Sequence, residues 1–319
     1  MQNIEALKAH LEPLKPFLED DYVSEIILNR PQELFIERKG QFEKHDVDAL
    51  DYNHLFRLVT LVANYNKKPF SDKVPRLSAT LPQGYRLQAL TPPVLEQGRF
   101  SLSIRKQVIS DYRLDDYTKH FYESLKINDE NRMSNKNTAI ELIRSCILNR
   151  KTILISGGTS TGKTTFLNAC LKEIPLNERL ITLEDTREIH VEHPNHCSLI
   201  AGYNGEEYSD QDMIENLKAT LRLRPDRILL GELRGGEATT FLEAASTGHE
   251  GSFSTIHASS AKLALERLCM LAERGGLRQQ SRAELREYVL SIIDVVVQLK
   301  RLPDGTRKIT EIFYKDMDN

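Results

Sequence analysis

Apolar positions along the chain follow two different periods, and the change between them predicts the elements. Ile4, Leu7, Leu11, Leu14 and Leu18 recur at helical spacing and mark one stripe of an amphipathic helix. Shorter runs follow at Glu25-Ile26-Ile27-Leu28-Asn29 and Glu33-Leu34-Phe35-Ile36-Glu37, bounded by turn signals at Arg30-Pro31 and Lys39-Gly40. Leu55, Leu58, Val59 and Val62 return to a helical period. Leu77 to Leu90 reads as a hairpin about Pro82-Gln83-Gly84, and Phe100 to Ile104 alternates as a strand. This part is expected to be a small α+β domain around an antiparallel sheet. The first helix fits packing on its own domain or docking to a neighbouring subunit. Glu12, Glu19, Asp20 and Asp21 beside it argue against an anionic lipid surface.

From Lys126 to Asn137 the chain is polar and rich in Asn, which predicts a linker over 126–137 between domains at 1–125 and 138–319. Beyond it, apolar runs at Thr152–Ser156, Leu180–Leu183, Arg227–Gly231 and Ser252–Ile256 alternate with helical segments. Such alternation predicts an α/β domain with a mainly parallel sheet. A final hairpin, Val295–Leu299 and Arg307–Phe313 around Pro303-Asp304-Gly305, closes the pattern.

The first of those strands runs into Gly157-Gly158-Thr159-Ser160-Thr161-Gly162-Lys163-Thr164, and a helix is expected to continue from Thr165 through Leu171. Strand, glycine-rich loop with Gly-Lys-Thr, and helix arrive in the order of a phosphate-binding loop. Glycines at 157, 158 and 162 let the backbone turn tightly and aim its N–H groups at phosphate oxygens, at the positive end of the helix. Gly157, Gly158, Thr159, Ser160, Thr161, Gly162, Lys163, Thr164 and Thr165 are thus the candidate ATP-binding residues. Lys163 reaches the β and γ phosphates and Thr164 is the candidate ligand for Mg²⁺.

A second motif supports the first. Arg227-Ile228-Leu229-Leu230-Gly231-Glu232 is an apolar strand ending in a carboxylate, so Glu232 is a candidate to hold Mg²⁺, directly or through water, or to polarise the attacking water. A salt bridge to Arg234 is its structural alternative.

Composition narrows the remaining classes. The chain has 319 residues, 40% hydrophobic and 28% charged, with a net charge of only −3, so direct nucleic-acid binding has no compositional support. No apolar run approaches the ~20 residues that span a bilayer, and the first residues carry no signal-peptide pattern, so a cytoplasmic protein is expected. Cys146, Cys170, Cys197 and Cys269 are scattered, which fits reduced thiols rather than a zinc site. His190, His193 and His196 lack metal-ligand spacing and flank Pro194; a loop is expected there.

Read together, Leu221 to Ala238, Thr247-Gly248-His249-Glu250-Gly251-Ser252 and Ser254-Thr255-Ile256-His257-Ala258 strongly resemble the secretion traffic ATPases. The whole chain is similar to their type IV secretion and conjugal transfer branch, named after the VirB operon's eleventh product. That resemblance implies a RecA-like P-loop ATPase domain behind a smaller α+β domain that contributes to nucleotide binding and ring assembly. It implies a Mg²⁺-dependent ATP hydrolase that forms a homohexamer at the cytoplasmic face of the bacterial inner membrane. Such a ring powers substrate transfer or pilus biogenesis alongside the inner-membrane and cytoplasmic components of a secretion machine. The alternatives are a type IV pilus or type II secretion motor, or a DNA-stimulated translocase.

The same resemblance assigns residues. Ile181 to Ile189 looks like the family's acidic box, with Glu184 as general base and Asp185 and Glu188 as helpers. Of the histidine box, His249 is the expected γ-phosphate sensor and His257 the structural member. Arg86 and Arg105 match segments whose arginines reach the nucleotide, and Arg222, Arg224 or Arg234 could complete a site in trans or stabilise the fold. One departure stands out. Relatives often have glycine where this loop has Ser160.

Overall fold

The structure, a computed structural model, describes residues 2–38, 40–106, 112–127, 131–132, 136–201, 210–277 and 281–315. The chain divides into two compact units, one through Met1–Ile109 and one taking Ser110–Gly202 and Tyr208–Asn319.

The first unit opens with α1 (Gln2–Leu11), a tight turn at Glu12–Leu14 and α2 (Lys15–Leu18). The single helix expected here is broken because Pro13 and Pro16 each start a new segment, where a missing N–H costs nothing. Its stripe still buries Leu7, Leu11, Leu14 and Leu18 in the core of this unit, while Ile4 is exposed. There follow β1 (Val23–Arg30), β2 (Glu33–Arg38), β3 (Gln41–Asp46), α3 (Tyr52–Tyr65), β4 (Arg76–Thr80), β5 (Arg86–Leu90) and β6 (Ser101–Arg105). Among the described residues they form an antiparallel sheet of order β3-β2-β1-β6-β5-β4. Asp51 caps α3 by accepting the His54 N–H at 2.7 Å, and Leu55, Leu58, Val59 and Val62 pack with Ile26, Leu28, Leu34, Ile36, Leu102 and Ile104. The strand β3, Gln-Phe-Glu-Lys-His-Asp, has no apolar face for a periodicity reading to find. It lies at the sheet's edge, where charge discourages pairing with other chains.

The second unit carries β7 (Phe121–Ile127), β8 (Asn131–Arg132), α4 (Lys136–Leu148), β9 (Ile153–Gly157), α5 (Lys163–Leu171), β10 (Leu180–Glu184) and β11 (His196–Ile200). It continues with α6 (Asp210–Thr220), β12 (Arg227–Leu233), α7 (Glu237–Ser246), β13 (Phe253–Ile256), α8 (Ala261–Arg274), α9 (Arg282–Ile292), β14 (Val295–Arg301) and β15 (Arg307–Tyr314). The sheet order is β11-β10-β12-β13-β9-β14-β15-β7-β8, parallel from β11 through β14. Alternate residues feed two cores. Ile153, Ile155, Leu229, Val295 and Val297 face Ile143, Phe166 and Cys170 of α4 and α5, whereas Leu154, Ile228, Leu230 and Val296 face Phe241, Leu265 and Val289 of α7, α8 and α9. Helices on both faces of a parallel sheet explain why its strands read as unbroken apolar runs.

Part of the stretch expected to be a linker lies inside this unit. Lys126 pairs with Arg132 and Ile127 with Asn131, and β7 runs beside β15; residues 128–130 and 133–135 lie outside the described residues. Polarity there goes with strands at the sheet's margin, where β8 has a neighbour on one side only. His196, expected in a loop with His190 and His193, instead opens the strand His196–Ile200 that adds to β10. His193 is buried with Nε2 3.1 Å from the Ile174 carbonyl, and no metal-binding cluster occurs among the described residues.

At the amino ends of these strands lies a buried ion pair. Arg227 is fully enclosed, donating from Nε and Nη2 to Glu178 at 2.8 and 2.9 Å and from Nη1 to the Ile147 carbonyl at 2.8 Å. Both charged groups are thereby satisfied, which a buried pair requires.

Candidate nucleotide site

Parallel strands put all their carboxyl ends on one edge, so the residues just after β9, β10, β12 and β13 meet there. The glycine-rich loop leaves β9 at Gly157. A Cβ on Gly157 would come within 2.8 Å of the Leu299 carbonyl oxygen and would also strike Thr161, so the close packing of loop against β14 demands glycine. Gly162 has φ +88° and Ser160 has φ +57°, so two left-handed residues shape the bend. Glycine adopts that region freely; Ser160 does so against its Cβ. Thr161 Oγ1 closes the loop by donating to the Gly158 carbonyl at 2.9 Å.

Lys163 opens α5 and is buried, its Nζ donating to the carbonyls of Gly157 at 3.1 Å and Gly158 at 3.0 Å. It also lies 3.3 Å from His257 Nε2. Thr164 Oγ1 donates to Glu188 Oε2 at 3.0 Å, which links the helix start to the acidic segment after β10.

That segment is organised by Glu184, the last residue of β10. Its Oε1 accepts the backbone N–H groups of Glu188 and Ile189, both at 2.8 Å, while Oε2 is buried without a hydrogen bond. Its stem packs on Gly231, where a Cβ would lie 3.2 Å from Glu184 Cγ. Burial pushes the Glu184 carboxyl up to about 7; the two amide donors pull it down, and Glu188 and Asp185 add to the rise.

Glu232 sits where the β12–β13 register slips between Leu230 and Leu233, an irregularity that re-aims its side chain. Its Oε2 accepts from Arg234 Nε at 2.8 Å and Nη2 at 2.6 Å, and its Oε1 lies 2.8 Å from His257 Nε2. The same Arg234 donates from Nη1 to Asp185 Oδ2 at 2.8 Å. Glu237 fixes the turn beneath, its Oε1 accepting the N–H groups of Arg234 at 2.6 Å and Gly235 at 2.9 Å. Burial and the Lys163 charge lower the His257 pKa against the pull of Glu232. His257 Nε2 thus stands between the Glu232 carboxylate at 2.8 Å and the Lys163 ammonium at 3.3 Å.

Asp185, Arg234, Glu232, His257 and Lys163 thus form a continuous chain of polar contacts at the strand ends. His249 is elsewhere in the pattern: its Nδ1 lies 3.2 Å from the Ala244 carbonyl at the end of α7. His257, the residue just past β13, is the histidine placed beside Glu232 and Lys163. Arg222 and Arg224 are exposed on the turn before β12. In the first unit, Arg86 and Arg105 are directly opposed across β5 and β6, an arrangement of like charges that a shared anion would relieve. One side chain had no signal at all in the sequence. Arg307, at the start of β15, donates from Nε to the Ser160 carbonyl at 3.1 Å.

The fold and loop define a nucleotide-binding protein of the P-loop, RecA-like class. A profile of the Type II/IV secretion system protein family matches residues 8–304, and the chain belongs to that family. The type IV secretion system protein VirB11 of Brucella suis is 38% identical over 322 residues, covering 96% of this chain and 89% of the relative. The protein PtlH of Bordetella pertussis is 34% identical over 320 residues, covering 96% and 94%. The crystal structure of the Brucella suis VirB11 ATPase in complex with sulphate matches with a TM-score of 0.51 at 35% identity, over 98% of this chain and 95% of that one. The Legionella pneumophila ATPase DotB shares the fold, with a TM-score of 0.66 at 19% identity over 96% and 80%. The chain is a secretion ATPase, and these likenesses favour the type IV reading over the pilus, type II and translocase alternatives.

Proposed function

We propose that the chain works as a Mg²⁺-dependent homohexameric motor at the cytoplasmic face of the inner membrane, hydrolysing ATP to power a type IV secretion or conjugation machine. The observation that carries the reading is the convergence of the Lys163 loop with Glu232, His257 and Arg234 at the carboxyl ends of parallel strands.

In this reading the loop amides from Gly157 to Thr165 cradle the phosphates, and Lys163 exchanges its loop carbonyls for β and γ oxygens. The donor set fits a hard cation: Thr164 Oγ1, already tied to Glu188, and the carboxylate of Glu232 would hold Mg²⁺, directly or through water. That ion would supply neutralisation of phosphate charge. Glu184, ionising near neutral pH with Oε2 unengaged, accepts the proton of the attacking water, while Asp185 and Glu188 hold the segment in place. His257 takes the γ-phosphate sensing role expected of His249, because a phosphate that recruits Lys163 changes the partners of the ring beside it. Arg86 and Arg105 are the further candidates to contact the nucleotide phosphates, and the first unit is the candidate for ring assembly. Arg234 is committed to Asp185 and Glu232 within its own chain, which leaves Arg222 and Arg224 for a neighbouring subunit.

The test is steady-state ATP hydrolysis by the purified assembly with and without single-stranded DNA, with Lys163→Ala subtracting contaminants. Lys163-dependent turnover indifferent to DNA supports the secretion motor. Strong DNA stimulation would replace it with a translocase.

A further inference from the structure

The phosphate loop contains a strained residue with a cation beside it. Ser160, at φ +57°, occupies the region where a β-carbon clashes with the following carbonyl, a clash that glycine would not have. Its own carbonyl oxygen accepts from Arg307 Nε at 3.1 Å. Arg307 also runs its stem along the other left-handed residue of the loop, where a Cβ on Gly162 would stand 3.3 Å from Arg307 Cδ. The strand pairing brings this about. Leu299 on β14 lies opposite Gly157, and Arg301 opposite Arg307, so the final hairpin rises directly beside the loop.

We propose that Arg307 is a positioning residue for ATP binding: its charge-assisted bond to the Ser160 carbonyl holds the bent loop in the shape that a glycine at 160 would adopt unaided. The inference rests on the ATPase reading above but concerns loop shape, which can be observed without nucleotide. With Ser160 present, the bent conformer competes with relaxed ones, and removing the bond lowers its population. With glycine at 160 the bend dominates without the bond, so removing Arg307 changes little.

The experiment is a double-variant cycle on the full-length protein: Arg307→Ala, Arg307→Lys, Ser160→Gly and Ser160→Gly with Arg307→Ala. Each is assayed for ATP turnover and for amide hydrogen exchange at residues 158–163. Arg307→Ala is expected to raise KM for ATP about fivefold with kcat changed less than twofold, and to speed loop exchange at an unchanged melting temperature. Arg307→Lys, which keeps a donor, recovers most of the KM. In the Ser160→Gly background the same Arg307→Ala step moves KM and exchange less than twofold. Equal effects in both backgrounds would mean that Arg307 acts on the nucleotide directly, and no effect in either would mean that the bond is idle; both overturn the proposal. A wild-type protein without Lys163-dependent turnover would sink the ATPase reading instead, and the exchange data would still decide the loop's dependence on Arg307.

Discussion

The two halves of the candidate site are built on different principles. The phosphate loop is a backbone object, shaped by glycines and by the left-handed turns at 160 and 162, with one buried ammonium inside it. The row of Asp185, Glu232, Arg234 and His257 is a side-chain object, in which each group shares a partner with the next. A backbone site fails when an atom is added, because there is no room to move. A side-chain network fails when a charge is removed, because its neighbours lose their compensation.

Substitutions can break that contrast. Lys163→Ala is expected to have the largest effect, lowering turnover at least about 10³-fold through loss of the phosphate charge clamp, as read by phosphate release. Glu232→Gln comes next: about 10²-fold slower turnover with nucleotide binding retained, measured by fluorescent nucleotide titration alongside hydrolysis. Equal loss of binding and turnover there would mean that Glu232 serves the fold rather than the reaction. Gly157→Ala tests the other half, because a Cβ against the Leu299 carbonyl should cost about 1–3 kcal/mol of stability in denaturant unfolding. A variant of unchanged stability would show that the loop adjusts as freely as the side-chain row.

The smallest effect sharpens the electrostatic side. Glu184 has its carboxyl raised to about 7, so between pH 4.5 and 7 the folded chain keeps a proton that the unfolded chain has released. Stability from this group is present at low pH and is lost as pH rises through that window, by at most about 3 kcal/mol. Glu184→Gln should remove the decline, seen as a melting temperature that converges with or exceeds wild type from pH 5 to pH 8. Parallel profiles for the two proteins would place the Glu184 carboxyl in its ordinary range.

Much of this was legible in the residues themselves. Parallel strands buried on both faces leave apolar runs with sharp ends, so β9, β10, β12 and β13 stood out, and with them the loop and the terminal carboxylates. Edge strands are wet on one side and lack such runs, which hid β3, β8 and β11 and made the hairpin near 126–132 look like a linker. The surroundings of His249 and His257 depend on where a helix ends and a strand stops, a matter of one or two residues that periodicity does not fix. Arg307 could not be anticipated. Its relation to Ser160 spans 147 positions and exists only through the pairing of the last two strands beside β9.

The buried pair of Arg227 and Glu178 carries a consequence for how this sequence can drift. Replacing either member alone strands the other charge in the interior at a cost of about 3–5 kcal/mol, a large share of what a domain has to spare. Two apolar residues of matching volume could do as well or better, yet no single substitution reaches them without passing through a poorly folded intermediate. The two positions, 49 residues apart, are therefore expected to change together, lineages that keep the fold keeping both or losing both.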